Sequence, residues 1–315
     1  MAEQGVSNSI DALSRQLAAA VERVGPAVVA VDARPRVRTS GVIWRAGVVV
    51  STNHTVRRDE EITVTLHDGQ EFPASVAGRD PGTDLAVLRY DGGESLDESG
   101  VAARGDAASL KVGHLVLAVG RAHPARGVSA GLGIVGAAAG AWRTWRGSEI
   151  DRLIRPDVSI FVGFSGGALL DTEGRVVGIN TTGLARGAGL TIPASTVDRV
   201  VDHLLQHGRV ARPYLGVGMF NRVALPEKLR EKFNLQKASG LMILSVEADG
   251  PADRAGIMIG DILLALGDAA IPDADDAQAL LAGLEVGSAV KARILRGGEP
   301  RVVEITLGER PARKR

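Results

Sequence analysis

A serine framed by glycines stands at the mouth of an apolar run in Gly163-Phe164-Ser165-Gly166-Gly167-Ala168-Leu169-Leu170. Glycine lets the backbone turn sharply there and leaves the hydroxyl exposed. It also lets neighbouring N–H groups converge beside that hydroxyl, which is the geometry that holds the oxyanion of acyl transfer. Gly and Ser also gather in ordinary turns, so the stretch needs partners before it carries chemistry. A hydroxyl is a weak nucleophile until a base takes its proton, and a carboxylate commonly orients that base. A strand-like run beginning at Val48 leads to His54, and Asp84 sits where the turn Asp80-Pro81-Gly82-Thr83 enters the apolar Leu85-Ala86-Val87-Leu88.

Competing residues are weaker candidates. Asp80 lies in the turn itself, whereas Asp84 directly precedes the apolar strand. His67 falls in a polar turn, His114 before a strand and His123 in a loop, so each reads as structural or solvated. His203 and His207 share a helix face at i, i+4, but no third ligand is near in sequence, and no metal site is expected. The order His54, Asp84, Ser165 is that of chymotrypsin-like proteases and differs from those of subtilisins and α/β-hydrolases.

Taken with Ser51-Thr52-Asn53-His54, Thr83-Asp84-Leu85-Ala86-Val87-Leu88 and Val176-Val177-Gly178-Ile179-Asn180-Thr181, the serine stretch resembles the HtrA/Deg serine proteases over roughly residues 20 to 308. The resemblance implies a mainly β fold, a chymotrypsin-like double β-barrel followed by a small α/β PDZ domain. It makes His54 the general base, Asp84 its orienter and Ser165 the nucleophile, with Gly163 and Ser165 supplying the oxyanion-hole N–H groups. The chain departs from the family at Phe161-Val162-Gly163-Phe164-Ser165, where Asn-Pro-Gly-Asn-Ser is usual, and at Thr55-Val56, where two valines usually follow the histidine.

The elements that must position these groups read as a turn-rich β protein. With 40 glycines and 3% aromatic residues, the core falls to Val, Ile, Leu and Ala. The runs Ala27–Val31, Gly41–Trp44, Glu61–Leu66, Ala86–Leu88 and Leu115–Val119 are strands separated by turn residues. Gly131-Leu132-Gly133-Ile134-Val135-Gly136 matches a dinucleotide fingerprint, but no strand precedes it and no crossover helix follows, so it reads as a strand of the second barrel. Lys+Arg and Asp+Glu each count 37, so no basic excess points to nucleic acid. Without cysteine there are no disulfides and no thiol chemistry, and no cofactor is expected.

The domains expected are an N-terminal helix or arm at 1–24, a protease domain at 25–208, a PDZ domain at 209–309 and a basic tail at 310–315. Ile10, Leu13, Leu17, Val21 and Val24 recur at helical spacing, which suits either packing on the parent domain or an oligomer contact; the family implies a trimer. No basic start followed by a long apolar core marks an export signal, and no run is long enough to span a membrane, so the chain as written reads as cytoplasmic. Ser195 or Thr196 is placed to cap a helix ending at His207-Gly208, and Arg209 to Pro213 reads as a linker. Tyr214-Leu215-Gly216-Val217 then resembles a PDZ carboxylate-binding loop, which implies capture of peptide C-termini.

In the protease reading, Ser159, Ile160, Phe161, Ile179, Asn180 and Thr181 build the specificity pocket. None is a carboxylate, so cleavage is expected after small or medium apolar residues and not after Lys or Arg, which need a buried countercharge. Substrates would be unfolded or misfolded polypeptides. A second reading, a peptide-binding scaffold or chaperone that does not cut, follows from the unusual Phe161–Phe164 loop.

Overall fold

In the computed structural model the described residues are 2–92, 100–123, 127–144, 147–185, 189–208, 213–232 and 239–309. The chain divides into two compact units, Met1–Thr144 with Ser148–Val210, and Trp145–Gly147 with Ala211–Arg315. Of the expected linker only Pro213 is among the described residues, and the basic tail at 310–315 lies outside them.

The first unit opens with helix α1 (Ala2–Val24). Among its described side chains, Ala20 and Val24 are buried and Leu17 and Val21 pack against them, while Ile10 and Leu13 are exposed. Six antiparallel strands then close a barrel: β1 (Val28–Asp32), β2 (Thr39–Arg45), β3 (Val48–Thr52), β4 (Ile62–Thr65), β5 (Glu71–Asp80) and β6 (Leu85–Tyr90), in the order β1-β2-β3-β6-β5-β4. The sequence pattern does not announce β5, because Pro73 interrupts it, Glu71 and Ser75 are exposed and a bulge between Val76 and Gly78 breaks the alternation. A second barrel joins β7 (Leu115–Gly120), β8 (Ser129–Ala139), β11 (Leu153–Asp157), β12 (Ala168–Leu170), β13 (Val176–Thr181) and β14 (Leu190–Pro193), in the order β11-β14-β13-β12-β7-β8. Between β8 and β11, the short strands β9 (Trp142–Arg143) and β10 (Glu149–Ile150) pair with each other. The two closed barrels give the mainly β, chymotrypsin-like architecture that the sequence implied.

The glycine fingerprint lies within β8 and packs, as a barrel strand must. A Cβ on Gly133 would strike the Asp157 carbonyl, and one on Gly131 would come 2.9 Å from Val158 Cγ2, so the glycines let β11 approach. Helix α2 (Ala194–His207) follows β14 without a break, its N-cap position taken by Pro193. This corrects the cap expected at Ser195 or Thr196: no side chain caps the helix, and the Thr196 hydroxyl instead accepts from the Asp151 N–H at 3.0 Å. The C-terminal stop at Gly208 is left-handed, with its N–H bonded to the Leu204 carbonyl. Trp44, fully buried, donates its indole N–H to Asp198 of α2 at 2.8 Å.

The second unit is smaller and strand-rich. β15 (Pro213–Tyr214) pairs with the terminal β22 (Gly308–Glu309), and a sheet runs β16 (Val217–Ala224), β17 (Ser239–Val246), β18 (Ile262–Leu266), β20 (Ala289–Arg296), β21 (Glu299–Thr306), with β19 (Ala269–Ala270) paired to β18. Helices α3 (Glu227–Lys232), α4 (Pro251–Arg254) and α5 (Ala274–Ala282) complete it. Its core gathers Leu215, Leu241, Ile243, Leu263, Ile294 and Ile305.

One buried charge is compensated within this core. Asp261, 1% exposed, accepts from Arg296 Nε and Nη2 at 2.7 Å each and from the Met258 N–H at 2.8 Å. Burial pushes its carboxyl up, but the hydrogen bonds from Arg296 and Met258 and the Arg296 charge together hold it below its ordinary value. A carboxyl lowered in the folded state adds stability above the unfolded value, about 3.9, which is lost as pH falls toward the folded one. Asp261→Asn is therefore expected to lower second-unit stability by about 2–4 kcal/mol at pH 7 and to remove this part of its acid sensitivity. Hydrogen exchange of the second-unit amides at pH 7 and at about pH 2, well below the unfolded value, measures both effects.

Candidate active site

His54 is set at the end of β3. There the Thr55 and Val56 N–H groups both bond back to the Thr52 carbonyl, at 3.2 and 3.1 Å, and the resulting turn carries His54. The facing turn delivers Asp84, which adopts a left-handed φ of 61° that non-glycine residues seldom hold. The Asn53 N–H holds its carbonyl at 2.8 Å.

The Asp84 carboxylate is buried and takes three donors. Oδ1 accepts the His54 backbone N–H at 2.9 Å; Oδ2 accepts His54 Nδ1 at 2.7 Å and the Thr181 hydroxyl at 2.5 Å. A carboxylate only accepts, so Nδ1 carries the imidazole proton and Nε2 presents its lone pair. Asp80 is used differently: its oxygens accept the Gly82 N–H at 2.9 Å and the Thr83 hydroxyl at 2.7 Å, fixing the turn that delivers Asp84.

Ser165 is held by its own turn. The Phe164 N–H bonds to the Phe161 carbonyl at 3.0 Å, with Gly163 at φ 95°, so residues 161–164 form a type II turn, whose third position calls for glycine. The Gly166 N–H bonds to Asn180 O at 2.9 Å, and the Gly167 carbonyl receives the Asn180 N–H at 2.8 Å. From β2, the Ser40 hydroxyl donates to the Gly163 carbonyl and the Thr39 hydroxyl to the Ser165 carbonyl, both at 2.6 Å. Ser40 Oγ in turn accepts the Arg121 N–H at 2.8 Å. The Arg121 guanidinium is buried and donates to the Val28 and Gly25 carbonyls at 2.7 and 3.1 Å; its pKa is lowered by that burial. Among the described residues, the N–H groups of Gly163 and Ser165 donate to nothing.

The serine hydroxyl lies 3.2 Å from Thr182 Oγ1, which is 3.5 Å from His54 Nε2. Gly183 follows, and a Cβ there would run into Asp84 Oδ2 and come 2.7 Å from His54 Nδ1. The structure thus brings His54, Asp84, Ser165 and Gly163 together. It also adds Thr39, Ser40, Thr182 and Gly183, which the sequence did not single out.

The six residues assigned to the pocket divide. Ser159 and Phe161 are exposed, and Ile160 is half-buried and packs on the Gly189 Cα. Ile179 belongs to the barrel core, and Asn180 donates to the Ala168 carbonyl at 2.7 Å while accepting from the Thr191 hydroxyl at 2.9 Å. Thr181 is engaged with Asp84 and with the Gly183 N–H at 2.9 Å. The histidines outside this site stand apart, and among the described residues no group of three or more His, Asp or Glu could hold a metal.

The family model of the trypsin-like peptidase domain matches residues 39–179, and that of the PDZ domain matches 213–307. A crystal structure of the serine endoprotease from Yersinia pestis is 31% identical, with a TM-score of 0.71, over 93% of this chain and 97% of that one. The HtrA-type protease AlgW with a tripeptide is 31% identical, with a TM-score of 0.68, over 94% of this chain and 98% of that one. The chain belongs to the HtrA-type serine proteases. The HtrA-type protease AlgW with a bound decapeptide is similar over 94% of this chain and 99% of its own, at 29% identity and a TM-score of 0.70. Among curated relatives, the serine protease Do-like HtrB of Bacillus subtilis (strain 168) is 33% identical over 286 residues, 85% of this chain and 61% of that protein. The periplasmic pH-dependent serine endoprotease DegQ of Escherichia coli (strain K12) is 32% identical over 275 residues, 85% of this chain and 58% of that protein. This HtrA-type chain thus spans less than two thirds of the length of these relatives. The periplasmic name of DegQ runs against the cytoplasmic expectation from the sequence; among the described residues no helix is long and apolar enough to cross a membrane.

Gly183 is the glycine on which the His54–Asp84 pair depends most directly. Gly183→Ala is expected to separate the pair, and the strongly deshielded proton resonance of an Nδ1–H shared with a carboxylate should be present in the native chain and lost in the variant.

Proposed function

We propose that this chain is a serine endopeptidase that cuts unfolded or misfolded polypeptides. The observation that carries the reading is the pairing of an Asp84-oriented His54 with a serine turn in which the Gly163 and Ser165 N–H groups donate to nothing among the described residues. Ser165 Oγ attacks the peptide carbonyl as its proton passes to His54 Nε2, and the carbonyl oxygen, now negative, takes the N–H groups of Gly163 and Ser165. His54 then gives the proton to the leaving amine, and a water activated by the same nitrogen hydrolyses the acyl-enzyme. Asp84 stays ionised throughout and stabilises the imidazolium.

We assign 25–208 to the protease domain, 209–309 to the PDZ domain, 1–24 to an N-terminal arm and 310–315 to a tail. In the second unit, Tyr214 to Val217 would receive a peptide carboxylate. Gly216 is left-handed at φ 77°, and among the described residues the N–H groups of Leu215 and Gly216 donate to nothing. β16 is the edge of its sheet, which leaves one side for an added strand. The exposed Ile10 and Leu13 of α1 support self-association, as a trimer if the family's arrangement holds. Ile160 seated on Gly189 favours small or medium apolar side chains in the specificity pocket.

Digestion of an unfolded casein-like protein, read by mass spectrometry, is expected to give cuts after small or medium apolar residues that vanish in Ser165→Ala, together with labelling by a fluorophosphonate. Asp84→Asn should lower kcat by about 10⁴-fold. A native chain that neither cuts nor labels would favour the scaffold or chaperone reading, and cuts mainly after Lys or Arg would overturn the specificity.

A further inference from the structure

Direct proton transfer from a serine to its base needs the two heavy atoms within about 2.6–3.2 Å. Among the described residues no hydrogen bond joins Ser165 to His54; the Thr182 hydroxyl contacts both, at 3.2 Å from one and 3.5 Å from the other. We propose that Thr182 is a positioning residue whose hydroxyl holds the Ser165 hydroxyl off His54 in the resting enzyme and rotates away before acylation. This rests on the protease reading above.

The polarity is consistent. Nε2 has a lone pair because Nδ1 is committed to Asp84, so Thr182 donates toward Nε2 and its oxygen remains free to accept from Ser165. The neighbours of Thr182 cannot do the moving. Thr181 is tied to Asp84 and to the Gly183 N–H, and Gly183 lies against the His–Asp pair with no room for a Cβ. Thr182 itself is exposed, and its χ1 has other staggered wells, so a single bond rotation clears the hydroxyl from the site. A relay through Thr182 would need a second, concerted proton transfer through a group that is itself a poor base.

Removing the hydroxyl therefore removes a ground-state hydrogen bond that has to be broken, and the reaction gains. Phosphonylation of Ser165 by a small alkyl fluorophosphonate is expected to run about two- to tenfold faster in Thr182→Val and Thr182→Ala, and Thr182→Ser should restore the slow native rate. The same factor should appear in kcat/KM for peptides, with unchanged thermal unfolding. Equal rates in all forms would overturn the proposal while leaving the protease intact. Slower labelling in Val and Ala with rescue by Ser would overturn it in favour of a proton relay. Labelling in no form at all would remove the protease reading, and this inference with it.

Discussion

A carboxylate kept almost wholly out of water is the constraint around which the first unit is arranged. Asp84 is 3% exposed, and an uncompensated charge at such a depth is costly enough that a protein normally neutralises it or leaves it in solvent. Here the cost is met by the backbone and ring of His54 and by the hydroxyl of Thr181. The first two come from one barrel and the third from the other. Closing both barrels is thus what makes the ion tolerable, and the same contacts fix the tautomer that leaves His54 Nε2 as an acceptor.

Ser165 is positioned by a parallel logic. Its turn carries a positive-φ glycine at the third position and is held by hydroxyls reaching across from β2. Ser40 is the hinge of that connection, giving its proton to the Gly163 carbonyl and receiving the Arg121 N–H, so three distant stretches of chain fix one peptide plane. The apolar Phe161 and Val162 stay exposed at 61% and 79%, and Phe161 packs edge-on to the buried Phe164, with ring centroids 5.6 Å apart. The departures from the usual family sequence therefore make up the turn itself, which closes through the Phe164 N–H to Phe161 carbonyl bond.

How much of this could be read from the sequence follows from the range of the interactions. The turn-rich β character was legible because β-branched runs and turn residues are local signals, whereas the double barrel and the small second unit were implied by the family resemblance. His54, Asp84 and Ser165 stood out because each sits at the junction of a turn and an apolar run. Ser40 was invisible: its role rests on a bond to Gly163, 123 residues away, and nothing around it in sequence marks it. Thr182 was hidden likewise, since its meaning depends on His54, 128 residues earlier. Along β13, periodicity could not say which side chains face open space; Ile179 and Asn180 are spent on the barrel and Thr181 on the carboxylate. In α1 the helical spacing was plain, but only the fold decides that burial starts near Leu17 and leaves Ile10 and Leu13 outside.

The central claim is that one hydroxyl, one imidazole and two backbone N–H groups form a single acyl-transfer site, and a crystal structure of the adduct with a peptidyl phosphonate tests it most directly. The account predicts phosphorus bonded to Ser165 Oγ, with its non-bridging oxygen about 2.7–3.1 Å from the nitrogens of both Gly163 and Ser165. Phosphorus on any other residue, or that oxygen turned away from both N–H groups, would contradict it.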